Sequence, residues 1–238
     1  MLGSFGIAVT TISLLLSLSL LYLSYYDLKL SSNRISKKIY KFSFLQILLT
    51  FLSFITLIMA YVISDFSLIN VYENSHTTKP LFYKISGTWG NHEGSLLLWI
   101  NILVLFSFLF LILDENKNKN FRLYTLIFQN ILISTFLIFL LTNSNPFALL
   151  YPVPTEGMGL NPILQDPALA IHPPLLYVGF VGSSIYFSIA LAALITKVGS
   201  KSLAKTIKPW VSVSWSFQTL GILVGSIWAY YELGWGGF

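Results

Sequence analysis

The 238-residue chain contains no cysteine. That excludes a disulfide framework, a thiolate metal site and Cys-x-x-Cys redox chemistry. Charge is also scarce. Only 10% of the residues are Asp, Glu, Lys or Arg, where a soluble domain carries about 25%. Such a surface cannot be water-facing throughout, so a soluble enzyme, a disordered tail and a nucleic-acid-binding domain all fit poorly. No phosphate-binding Gly-rich loop, dinucleotide fingerprint, His-Glu-x-x-His or Gly-x-Ser-x-Gly stretch occurs. No apolar run holds the Lys–acid pair that a proton relay through a membrane would need.

What the chain has instead is apolar length. Hydrophobic residues make up 55% of it, aromatics 16%, and the mean hydropathy is +0.74. A bilayer-crossing helix needs about 20 mostly apolar residues. Six runs qualify: Leu2–Tyr26, Phe42–Ile63, Leu96–Leu113, Leu123–Thr142, Pro173–Ile195 and Trp210–Leu233. None shows the strict alternation of a membrane β-strand. The first has no basic residue before it and no small-x-small cleavage site after it, so it reads as a span and not as a leader. The expected fold is all-α, a single polytopic bundle of about six transmembrane helices.

The basic residues orient it. Of 14 Lys and Arg, 12 fall in the stretches 27–41, 114–122 and 196–209, and only Lys79 and Lys84 lie in the stretches 64–95 and 143–172. The positive-inside rule puts the first three stretches in the cytoplasm or matrix and the N-terminus outside. The net charge of +5 is therefore a topology signal; it predicts contact with membrane lipid and no nucleic acid. The two outer stretches, 64–95 and 143–172, hold all three histidines, His76, His92 and His172. Function is expected on that face.

Three outer stretches carry the candidate chemistry. In Gly87-Thr-Trp-Gly-Asn-His-Glu-Gly-Ser95, Ser95 is a plausible N-cap of the third span. Trp89 suits the membrane interface, and His92 and Glu93 would point about 100° apart on a helix. An interfacial turn and a ligand or partner site are both compatible with it. In the second stretch, Asn161-Pro162 and Asp166-Pro167 both read as N-cap plus Pro at the first helical position, which predicts short helices lying on the membrane. Pro173 and Pro174 lack N–H groups and are expected in the first turn of the fifth span. His172 then sits at that helix's outer mouth, either as an interfacial residue or as a metal ligand. The third stretch, Trp228-Ala-Tyr-Tyr-Glu-Leu-Gly-Trp-Gly-Gly237, is either an aromatic belt or a platform for a planar ligand. Gly221 and Gly225 just upstream form a small-xxx-small pair suited to close helix packing. Gln129, Asn130 and Gln218 are expected to bond between helices.

Together these stretches resemble the CcmF-type haem lyase family of cytochrome c maturation. The resemblance rests on Trp89-Gly-x-His-Glu-Gly-Ser-Leu-Leu-Leu-Trp99, on Gly157-Met-Gly-Leu-Asn-Pro-x-Leu-Gln-Asp-Pro-Ala-Leu-Ala-Ile-His-Pro-Pro-Leu-Leu-Tyr177 and on Trp228 to Gly237. It implies a membrane protein that receives haem on the outer face and helps attach it to an apocytochrome. It further implies a haem b cofactor in the complete assembly, with His172 as one axial ligand to the iron. Trp228, Tyr231, Trp235, Gly236 and Gly237 match the start of the family's tryptophan-rich haem motif. Trp89, Gly90, His92, Glu93, Asp166, Pro173 and Pro174 match motif positions without an assigned role. Implied partners are a haem-loaded carrier, apocytochrome c and other maturation subunits. The implied location is a bacterial cytoplasmic or mitochondrial inner membrane. The chain stops inside the tryptophan-rich motif, so a missing C-terminal part or second chain is expected to complete the site. A transporter of haem or another small ligand, and a purely structural assembly subunit, are the competing classes.

Overall fold

A computed structural model describes residues 1–32, 34–114, 118–159, 165–232 and 234. Its elements are α1 (Leu2–Leu28), α2 (Lys37–Val62), α3 (Ile69–Asn74), α4 (Leu81–Gly87), α5 (His92–Leu113), α6 (Lys119–Asn143), α7 (Pro167–Thr196) and α8 (Ser200–Glu232). No named strand occurs among the described residues. Six of the helices, α1, α2, α5, α6, α7 and α8, are long and apolar enough to cross a bilayer. α5 lies against α2, α6 and α7; α1 fills the gap between α2 and α6; α8 packs principally on α7.

The burial pattern is that of a membrane bundle. On α1 the small polar side chains Thr10, Ser13, Ser17 and Ser24 are buried, while Phe5, Ile12, Leu15 and Tyr22 face outward. Lipid is as apolar as leucine, so burying leucine gains little; small residues let backbones approach, and hydroxyls tie helices together. Ser17 bonds Ser134 of α6 at 2.7 Å, and Thr10 bonds Ser53 of α2 at 2.7 Å. Gln129 donates to Ser184 of α7 at 3.1 Å, and Asn130 accepts from Ser17 at 3.3 Å, as expected of polar residues within spans. Gln218 makes no such bond among the described residues. Its backbone instead presses on Gly179, where any Cβ would collide with the Gln218 amide nitrogen.

Five of the six long helices begin earlier than the apolar runs suggest, α7 and α8 by the most. α8 starts at Ser200, so most of the basic stretch before Trp210 is helical, with Pro209 inside it. α7 starts at Pro167, capped by Asp166, whose carboxylate accepts from the amides of Ala168 and Leu169 at 2.8 and 3.0 Å. The cap at Asp166-Pro167 is therefore real, but it opens the spanning helix itself, not a separate surface helix. Pro173 and Pro174 lie in the interior of α7, two turns in, and not in its first turn. Asn161-Pro162 falls outside the described residues.

The segments 67–77 and 148–159 are zipped together. Backbone bonds run from Ile69 to Ala148 (3.0 Å), from Leu150 to Ser67 (2.8 Å) and from Met158 to Tyr72 (2.8 Å). Glu156 adds a side-chain tie: its carboxylate accepts the Thr77 amide at 3.0 Å and its own following amide, that of Gly157, at 2.9 Å. The Thr77 hydroxyl, these amides and nearby His76 hold that carboxyl well below its usual range, at about 2.

Candidate functional site

The Trp89–Ser95 turn is built from its asparagine. Asn91, and not Ser95, caps α5: its side-chain oxygen accepts the Gly94 amide at 2.8 Å. Its amide group donates to the Gly87 carbonyl (2.8 Å) and the Tyr61 hydroxyl (2.9 Å). Ser95 sits one turn in and donates to the His92 carbonyl. Buried Asn70 of α3 donates to both Asn91 (2.7 Å) and Glu93 (3.1 Å), and fully buried Tyr61 donates back to the Asn70 side chain at 2.7 Å. A connected, satisfied network of this kind rigidifies its surroundings. Glu93 points into it and His92 away from it, as neighbours on a helix must.

His92 faces a cavity of about 340 Å³ that Trp89, Gly90, Asn91, Ser95, Leu169, Ala170, Pro173 and Tyr177 also line. The motifs around Trp89 and Pro173 therefore meet, across 81 positions of sequence, where the Trp89 indole N–H donates to the Ala170 carbonyl at 2.9 Å. His76 lies elsewhere, bonded to Thr78 at 2.9 Å and 3.7 Å from Glu156.

Buried Lys79 donates to the Asn74 carbonyl at 3.0 Å. Burial first, and neighbouring Lys84 second, bring its ammonium down to about 8.

His172 faces α8. Its Nδ1 lies 2.6 Å from the Gly221 carbonyl oxygen. A carbonyl only accepts, so Nδ1 is the donor, and in the neutral ring the lone pair is then on Nε2. The ring has room because position 225 is glycine: a Cβ there would lie 2.5 Å from His172 Cε1 and 2.6 Å from Nδ1. At Gly221 a Cβ would lie 2.7 Å from the Leu176 backbone nitrogen. The glycine pair thus brings the helices together, and its second member also seats the imidazole. That second role was not legible in the sequence. Only a histidine spaced to face the pair could have hinted at it.

Trp228, one turn beyond Gly225, has a buried indole N–H with no acceptor among the described residues. Tyr231 is 76% exposed, and its ring contacts Tyr230. Trp235, Gly236 and Gly237 fall outside the described residues. No group of three or more His, Asp or Glu suited to a metal ion forms among the described residues. A haem needs no such cluster from one chain, since a single imidazole supplies an axial ligand. The residues present fit that role on two counts: an imidazole whose Nε2 has no hydrogen-bond partner among the described residues, and a glycine that gives the ring space.

Residues 89–238 match the cytochrome C assembly protein family. The chain is 51% identical over 193 residues to a cytochrome c-type biogenesis protein CycK of Bradyrhizobium diazoefficiens, covering 81% of this chain and 29% of the relative. It is 42% identical over 187 residues to the CcmF of Escherichia coli K12, covering 78% and 29%. A solved structure titled cytochrome c heme lyase CcmF superposes with a TM-score of 0.78 at 27% identity, over 99% of this chain and 37% of that one. The chain thus spans about a third or less of the length of these relatives.

Proposed function

The chain belongs to the cytochrome C assembly protein family, and on that footing we propose that it forms the part of a cytochrome c haem lyase that offers His172 to haem iron on the outer face of the membrane. It is an integral membrane protein by its six apolar helices and its relatives. The observation that carries the reading is the imidazole geometry. Nδ1–H on the Gly221 carbonyl fixes the tautomer and ring plane of the neutral imidazole and leaves Nε2 as the ligating atom. Haem, when bound, supplies the iron and the vinyl groups that become attached to the apocytochrome's thiols. The chain's own residues position it: His172 through Nε2, and the Trp228 N–H as a donor to an acceptor on the ligand.

His76 is held by Thr78 and stands beside Glu156, and His92 faces the cavity near Trp89. Beside these residues the reading calls for a second axial ligand, a haem-loaded carrier and an apocytochrome. The assembly belongs in a bacterial cytoplasmic or mitochondrial inner membrane.

His172→Ala in the haem-loaded assembly is the direct test. The Soret band assigned to the bis-histidine haem is expected to vanish or shift to a five-coordinate form, with the amount of extracted protein unchanged. An unaltered spectrum would overturn the ligand reading.

The orientation is proposed from the charge split. Reporter fusions at Ser36, Asn118 and Ser200 are expected to read inside, and those at Ser75 and Pro154 outside. An inside signal at Pro154 would sink the six-span topology.

A further inference from the structure

α7 runs unbroken through Pro173 and Pro174. Neither residue has an N–H, so the carbonyls of Leu169 and Ala170 lose their i+4 donors. Ala170 is only 5% exposed, and a buried acceptor left without a donor is costly. The Ala170 carbonyl has a donor nonetheless, the Trp89 indole N–H at 2.9 Å. That ring is itself held in place. It stacks on Phe54 of α2 at 6.4 Å between centroids, and its turn is tied by Asn91 to Gly87 and Tyr61. His172 follows Ala170 by two residues, on the same short outer segment of α7.

We infer that Trp89 is a positioning residue for His172: its indole N–H occupies the carbonyl that Pro174 leaves open, and so clamps the outer end of α7 to the α5 turn. The haem consequence rests on reading His172 as an iron ligand; the clamp itself does not. Two motifs that look independent in the sequence are thereby one device. The prolines free a carbonyl inside the helix, and the tryptophan takes it. An aromatic that merely anchored the interface would need its ring but not its N–H, and would be indifferent to residue 174.

That difference is testable. Trp89→Phe keeps an aromatic ring against Phe54 and removes only the donor. Pro174→Ala restores a backbone N–H to the Ala170 carbonyl. Hydrogen exchange of the peptide spanning 167–176, measured by mass spectrometry on the extracted assembly, is expected to quicken about tenfold in Trp89→Phe, the factor one buried hydrogen bond commonly gives. In the Pro174→Ala background the same Trp89→Phe change is expected to be nearly silent. Equal acceleration in both backgrounds, or none in the first, overturns the inference.

The haem spectrum of the same variants gives the second arm. The low-spin signature is expected to broaden or shift in Trp89→Phe and to return in the double variant. An unchanged spectrum in Trp89→Phe beside a lost one in His172→Ala overturns positioning of the ligand. An unchanged spectrum in His172→Ala overturns the ligand reading instead, and the exchange arm still decides the clamp.

Discussion

Gly225→Leu in the haem-loaded assembly is expected to remove haem absorbance almost as completely as His172→Ala. Already a Cβ at 225 would stand 2.5 Å from His172 Cε1, and the ring has little freedom to swing aside while Nδ1 is bonded to Gly221 at 2.6 Å. Overpacking a tight contact costs about 1–3 kcal/mol, and each 1.4 kcal/mol is about tenfold in occupancy. Gly225→Ala should therefore weaken haem retention by about 5- to 140-fold, and Gly225→Leu by more. The control is Gly199→Ala, where a Cβ would meet nothing within 4 Å. In a His172→Ala background the Gly225→Ala change should cost almost no thermal stability in detergent, because the two sites share one contact. A normal Soret band in Gly225→Leu would mean that the imidazole is not held against α8.

Lys119→Met is expected to produce the largest loss of stability, at the opposite end of the bundle. Lys119 and Asp27 have side chains only 8% and 3% exposed, 3.7 Å apart. The ammonium also donates to the carbonyls of Asp27 (2.7 Å) and Ser32 (2.9 Å), and the Asp27 carboxylate accepts the Ser36 amide at 3.0 Å. Lys119 therefore pins the link between α1 and α2 onto the start of α6. Removing one member strands a buried charge, which costs about 3–5 kcal/mol. Thermal unfolding in detergent should show it, and Asp27→Asn in the Lys119→Met background should recover part of the loss. A change under about 1 kcal/mol, the usual size for an exposed pair, would show that water reaches the site.

The gap between what was legible and what was not follows range along the chain. Asp166 could be read as a cap because its partners, Ala168 and Leu169, are two and three residues away. Asn91 and Ser95 are both local cap candidates; what distinguishes Asn91 is Asn70 and Tyr61, which arrive from α3 and α2. A proline lacks an N–H, which in an isolated helix favours a first turn for Pro173 and Pro174; here they sit inside α7, and Trp89 meets the freed Ala170 carbonyl. Gly221 and Gly225 signalled helix packing by their spacing, but nothing local says which ring one of them accommodates.

The sequence by itself determined that this is an all-α membrane protein with six spanning helices. Apolar runs of bilayer length have no other stable form in lipid, where every backbone polar group must be satisfied within its own helix. Its motifs likewise sufficed to mark the family. The tertiary structure alone decided which way His172 points, which of its nitrogens donates to Gly221 and what meets the Ala170 carbonyl. Those depend on contacts between residues 49 and 81 positions apart, and such pairings are set by how the helices pack, which no local pattern encodes.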